Sequence, residues 1–189
     1  SPMSRGLGDV YKRQISAGIS SLEILNDGRL VMASYDKKIY VHATDGSLST
    51  TLTEPNGIVS YMEQTDNSTL LAGTTGGTIY HYEIDTWTAS SLGLGHTKQT
   101  TLLAAHNGMY IAGSKQGKVA FIDQSNLTIM ESFSASGDII AVVPEYTGQF
   151  FAVGALPSET KIRYFDLDSD LDGVNDLNDA FPNDPTQTC

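Results

Sequence analysis

The stretch "LLAGTTGGTIYHYEIDT", residues 70–86, holds two short apolar runs separated by a glycine-bearing turn. In the second run Ile79 and His81 fall on one side of an extended chain, and Tyr80 and Tyr82 fall on the other. Successive side chains of a strand point to opposite faces, so this run predicts a strand packed on both sides. The same plan returns in "LVMASYDKKIYVHATDG" (30–46), "MYIAGSKQGKVAFIDQS" (109–125) and "FFAVGALPSETKIRYFDLD" (150–168). Each copy has an apolar run with a small residue, a polar turn, and a second run that closes near an aspartate. Ala33, Ala72, Ala112 and Ala152 anchor the first runs at spacings of 39, 40 and 40 residues. Ile39, Ile79 and Val119 anchor the second runs 40 apart, and Ile162 follows 43 later because "LPSE" lengthens that turn. No window of about ten residues carries a helical period.

A period near 40 built from strands is the pattern of propeller blades. The expected fold class is therefore all-β, a partial β-propeller of about four blades over residues 15–166. In the second copy the four strands are expected at 57–64, 68–75, 77–85 and 88–94, running from the inner strand to the outer one. Asp45-Gly46, Asp66-Asn67, Gly76-Gly77, Asn107-Gly108 and Gln116-Gly117 are expected to supply the positive backbone angles of tight hairpins. The blades resemble the WD-repeat and quinoprotein-like propeller superfamily. Gly95-His96 stands where WD repeats carry their glycine-histidine pair, and Ile122-Asp123 stands near the tryptophan-aspartate position. "YEIDTWTASSL" around Trp87 is similar to the aspartate-then-tryptophan pattern of quinoprotein blades. The last copy runs into an acidic stretch without an outer strand, so the chain is expected to be a fragment of a larger propeller with exposed strand edges.

The stretch "DLDSDLDGVNDLNDAFPNDPTQTC", residues 166–189, carries seven aspartates and neither lysine nor arginine. Calcium prefers six to eight oxygens from closely spaced carboxylates around a sharp glycine turn. Counting from Asp168, the carboxylates of Asp168, Asp170 and Asp172 fall at loop positions 1, 3 and 5, and Gly173 falls at 6. The Val174 carbonyl, Asp176 and Asp179 follow at positions 7, 9 and 12. The six residues other than Gly173 are the candidate metal ligands, and calcium is the expected cofactor. Aspartate at position 12 reaches less far than glutamate, which sets the expected affinity in the weak extracellular range, roughly 0.1–1 mM. Asp168 through Pro185, with the "AFP" turn at Ala180–Pro182, is similar to a thrombospondin type 3 repeat. That resemblance implies a calcium-binding segment over 167–189 and an extracellular or cell-surface location.

The net charge is -11, yet outside the last 24 residues 15 acidic side chains face 11 basic ones. Without clustered lysine and arginine the chain is not expected to bind nucleic acid. No apolar run approaches the roughly 20 residues of a membrane-spanning helix. The single cysteine, Cys189, has no internal disulfide partner. Residues 1–14, "SPMSRGLGDVYKRQ", follow neither hydrophobic period. They resemble a translated sequencing-adapter string found at the ends of proteins from assembled environmental reads, and are expected to be a non-native lead-in.

Catalytic signatures are sparse. His42, His81, His96 and His106 lack a metal-ligand spacing, and Glu54, Glu63 and Glu145 lack an evident acid/base partner. "GTTGG" at 73–77 joins two strands and reads as a hairpin turn, not a phosphate cradle. Asn67-Ser68-Thr69 and Asn126-Leu127-Thr128 fit the glycosylation acceptor pattern. The expected function is non-catalytic binding or display, in which propeller loops meet an unknown protein or glycan ligand above a calcium-stabilised acidic stalk. The alternatives are a fragment of a quinoprotein-like oxidoreductase or a structural surface-layer component.

Overall fold

The computed structural model describes residues 17–106, 108–134, 137–144, 150–155 and 160–165. The lead-in at 1–14 and the acidic stretch at 166–189 lie outside the described residues. The described chain is all-β and forms four antiparallel sheets, each built from strands consecutive in sequence. The first blade holds β1 (Ile19–Ile24), β2 (Leu30–Ser34), β3 (Ile39–His42) and β4 (Leu48–Leu52). The second holds β5 (Val59–Gln64), β6 (Thr69–Thr74), β7 (Thr78–Glu83) and β8 (Thr88–Gly93). The third holds β9 (Thr100–His106), β10 (Met109–Ser114), β11 (Lys118–Asp123) and β12 (Ile129–Ser134). Among the described residues the fourth has three strands, β13 (Asp138–Pro144), β14 (Phe150–Ala155) and β15 (Thr160–Phe165).

Burial follows from the alternation in the sequence. Tyr80 and Tyr82 pack with Val31, Ala33, Ile39 and Val41 of the first blade, while Ile79 and Leu71 pack with Tyr110, Ala112 and Ile122 of the third. The middle strands β6 and β10 are buried at every residue, because each is flanked by a strand on both edges and a blade on both faces. The outer strands β8 and β12 are mostly exposed.

The strand register refines the repeat. Ala33 pairs with Ile39 as Gly73 pairs with Ile79 and Gly113 with Val119, so the structural period is a uniform 40. Met32, not Ala33, is the counterpart of Ala72, since both pair with the tyrosine after the isoleucine anchor. In every blade the inner strand slips by one residue against its neighbour: between Ile19 and Ser21, Val59 and Tyr61, Thr100 and Leu102, and Ile139 and Ala141. A bulge of this kind bends and twists its strand and frees the extra residue from the ladder. The freed hydroxyls join blades. Ser60 Oγ donates to the Thr100 carbonyl at 2.7 Å, and Thr101 Oγ1 donates to the Ile139 carbonyl.

The turns correct one expectation. Gly46, Gly77, Gly108 and Gly117 take positive φ, but Asp66 and Asn67 do not. Asp66 instead closes its turn through its carboxylate, which accepts from the Ser68 N–H at 2.7 Å and the Ser68 hydroxyl at 2.9 Å. Among the described residues no helix is long and apolar enough to cross a membrane.

Candidate functional site

The third and fourth strands of the second and third blades are joined by matching turns. Trp87 and Leu127, one period apart, both adopt φ 55°, a left-handed angle uncommon for such side chains. Their N–H groups donate to the Glu83 and Asp123 carbonyls at 2.7 and 3.0 Å. Both side chains pack against the core shared with the preceding blade. The two grooves between successive blades are thus built on one backbone plan and differ in side chains.

The first groove is filled from within. The Arg29 guanidinium lies 5.3 Å from the centre of the Trp87 ring, a distance at which the ring face attracts a cation. Its nitrogens reach Asp27 Oδ2 at 2.7 Å and the Ile84 carbonyl at 3.4 Å. Val41 and Leu70 belong to the buried cluster against which Trp87 packs, and Ala43 follows two residues after Val41.

One period later the same places hold other chemistry. Thr69 stands for Arg29, His81 for Val41, Glu83 for Ala43, Tyr110 for Leu70 and Leu127 for Trp87. The second groove is consequently open, with a cavity of about 430 Å³ lined by these five residues together with Asp66 and neighbouring hydroxyl and amide side chains. That volume falls in the range of small-molecule sites, about 300–1,000 Å³. No lysine or arginine lines it.

Tyr110 is fully buried, and its ring centre lies 5.8 Å from that of His81. The hydroxyl sits near Gln124, Thr69 and Thr65, yet makes no hydrogen bond of normal geometry. Burial pushes the Tyr110 phenol up, so it stays protonated and able to donate or accept. At Asp66 burial works to raise the pKa, but the Ser68 hydrogen bonds outweigh it and hold the carboxyl below its ordinary value. Asp66 Oδ2 also accepts from Gln124 Nε2 at 3.4 Å, across the two blades. Glu83 is half-exposed at the rim, with Oε1 3.9 Å from His81 Nδ1. The arrangement is a negative pocket rich in hydrogen-bond acceptors, suited to holding a donor-bearing group.

The residues singled out from sequence are distributed otherwise. Asp168, Asp170, Asp172, Val174, Asp176 and Asp179 lie outside the described residues. His42 and His81 are not brought together: His42 is the register counterpart of Tyr82, so the two imidazoles belong to opposite strand faces. His42 Nδ1 lies 3.1 Å from the Gly46 carbonyl, within its own turn. His96 sits on the segment between β8 and β9, against the Gly77 turn. Both glycosylation triplets border the second groove, and within one of them Asn126 Oδ1 accepts from the Thr128 hydroxyl at 2.6 Å. Asp66, His81, Glu83 and Tyr110 were not expected as a group. For His81, Glu83 and Tyr110 the signal is the exchange of an apolar for a polar residue at a 40-residue offset, whereas Asp66 stands where the preceding copy already has a polar residue, Asn26.

No family model matches the sequence, and no curated protein matches it. Solved structures do. The computationally designed Ika4 protein aligns with 81% of this chain over 94% of its own, at TM-score 0.68 and 19% identity. The computationally designed Ika8 protein aligns with 78% of this chain, TM-score 0.67 and 20% identity, and this chain spans 46% of its length. The RRP9 WD40 repeats align with 79% of this chain, TM-score 0.67 and 16% identity, and this chain spans 49% of theirs. Identities of this size speak for the fold alone, and they agree with the four-stranded sheets and the 40-residue register. The chain carries a β-propeller fold of WD40-like blades.

Proposed function

We propose that the protein is a non-catalytic binding scaffold, secreted or held at the cell surface, whose blades present grooves and turns to a ligand while calcium orders the acidic segment. The observation that supports binding is the open groove between the second and third blades, built where the preceding groove is filled by its own side chains. Calcium rests on sequence: Asp168, Asp170, Asp172, Asp176 and Asp179, with the Val174 carbonyl, supply oxygens at the spacing a calcium loop needs. The thrombospondin type 3 resemblance supports the same reading and the extracellular location. The resemblance of residues 1–14 to an adapter-derived string keeps that segment out of the functional reading.

Calorimetric titration of the full chain tests the calcium site. Calcium is expected to bind with a dissociation constant of roughly 0.1–1 mM, magnesium much more weakly. The double substitution Asp168→Ala with Asp172→Ala should abolish the calcium heat. No heat up to about 10 mM calcium, well beyond that range, refutes the site.

A further inference from the structure

We infer that the cavity between the second and third blades binds a guanidinium group, held by Asp66, Glu83 and the Tyr110 hydroxyl. One blade earlier the equivalent space is occupied by a guanidinium of the chain's own, Arg29, lying over Trp87 and paired with a carboxylate. In the second groove the arginine has become Thr69 and the tryptophan Leu127, which opens the space. The walls have changed in the same direction. Val41, Ala43 and Leu70 suit a groove that needs nothing more, whereas His81, Glu83 and Tyr110 bring polar groups to positions that blade packing alone satisfies with aliphatic ones.

The buried Tyr110 hydroxyl is an independent sign of a ligand. A buried polar group without a partner is costly, and a donor entering the cavity relieves it. Guanidinium carries five N–H donors in a planar fork and no acceptor. The lining offers two carboxylates, several hydroxyl and amide oxygens and two aromatic rings, with no cation to repel it. An anion is excluded by the same charges. A neutral sugar would use the hydroxyls but would leave the carboxylates without a counter-charge.

This assignment rests on reading the blades as a binding scaffold, and it is independent of calcium. Its test is a titration of the isotope-labelled full chain at pH 7, followed by amide chemical shifts. The probes are N-acetyl-arginine methylamide, its lysine analogue, methyl glucoside and a heptapeptide with a central arginine. The arginine compound should give saturable shifts around the cavity with a dissociation constant on the order of 1 mM. The lysine analogue, lacking the planar fork, should bind about fivefold more weakly. Leu127→Trp, which restores the side chain of the first groove at a backbone angle tryptophan already adopts there, should weaken binding about tenfold, or 1.4 kcal/mol. Glu83→Gln, at a half-exposed rim position where the unfolding midpoint should move little, should weaken it about threefold.

A heptapeptide that binds more tightly than the free compound assigns the site to an arginine of a partner segment. Equal affinity assigns it to a small guanidinium ligand, and either result supports the inference. The inference is overturned if no saturable shift is seen up to about 50 mM, far above the expected constant. It is equally overturned if the lysine analogue or the glucoside binds as well, or if the folded variants bind unchanged. Failure here alongside a successful calcium titration removes the pocket and leaves the calcium reading standing.

Discussion

Lys37, Gly77 and Gly117 hold the same turn position in three successive blades, and all three have left-handed backbone, with φ of 69°, 77° and 77°. The two glycines were legible as turn residues. The lysine was not, because nothing in its chemistry advertises that angle. Asp27, Asp36, Asp45, Asp66 and Asp123 show the reverse case. Each carboxylate accepts the backbone N–H two residues on, so much of the acidity of the blades is turn chemistry. His96 yields a prediction at this scale. Burial first, with a contribution from the Lys118 charge, lowers its pKa below 6.5, opposed by a hydrogen bond with the Lys98 backbone. The folded state therefore binds this proton less readily than the unfolded chain, and stability should fall as pH drops below 6.5. The urea midpoint should be lower at about pH 5.5 than at about pH 7.5, and His96→Gln should flatten that dependence. Glu23, whose pKa burial raises from 4.5, acts in the opposite sense at more acid pH. A midpoint that rises on going to pH 5.5, or a slope untouched by the substitution, contradicts the assignment.

Strands were the most legible elements. The run expected at 68–75 is β6 at Thr69–Thr74, and the run expected at 77–85 is β7 at Thr78–Glu83, because alternation and turn residues bound each strand on both sides. The bulges on the inner strands were not legible, since a slip exists only between two paired strands. In the second and third blades glycine follows the small anchor, as Gly73 and Gly113, beside the slipped inner strand of the next blade. A Cβ on Gly73 would stand 2.6 Å from Thr100 Cγ2 and 2.7 Å from its Cβ, where the inner strand of the next blade presses in. Thr100 is buried and β-branched, so it has little freedom to yield. Gly73→Ala should destabilise the protein by about 1–3 kcal/mol. Gly93→Ala, on outer strand β8 with nothing within 4 Å of the added carbon, should change stability by about 0.5 kcal/mol or less. Chemical denaturation of the two variants checks the pair, and equal effects would contradict the proposed blade contact.

At the scale of the molecule, the 40-residue period carried the architecture because a blade cannot bury its faces alone and each copy must stack on the next. The second groove was hidden for the same reason. His81 and Tyr110 lie on different blades, 29 residues apart in sequence, and meet only after stacking. What distinguishes that groove is a set of differences between repeats, whereas the fold is read from what the repeats share. The central claim is that these 40-residue units are stacked four-stranded blades, with β6 and β10 enclosed and β8 and β12 at the rim. Hydrogen exchange of backbone amides, resolved by residue in the full chain, tests it most directly. The account predicts that amides of β6 and β10 exchange slowest, that those on the free edges of β8 and β12 exchange fastest among strand residues, and that protection recurs every 40 residues. Protection spread over an uninterrupted segment that spans a turn such as 75–77, or β6 exchanging as fast as β8, would contradict it.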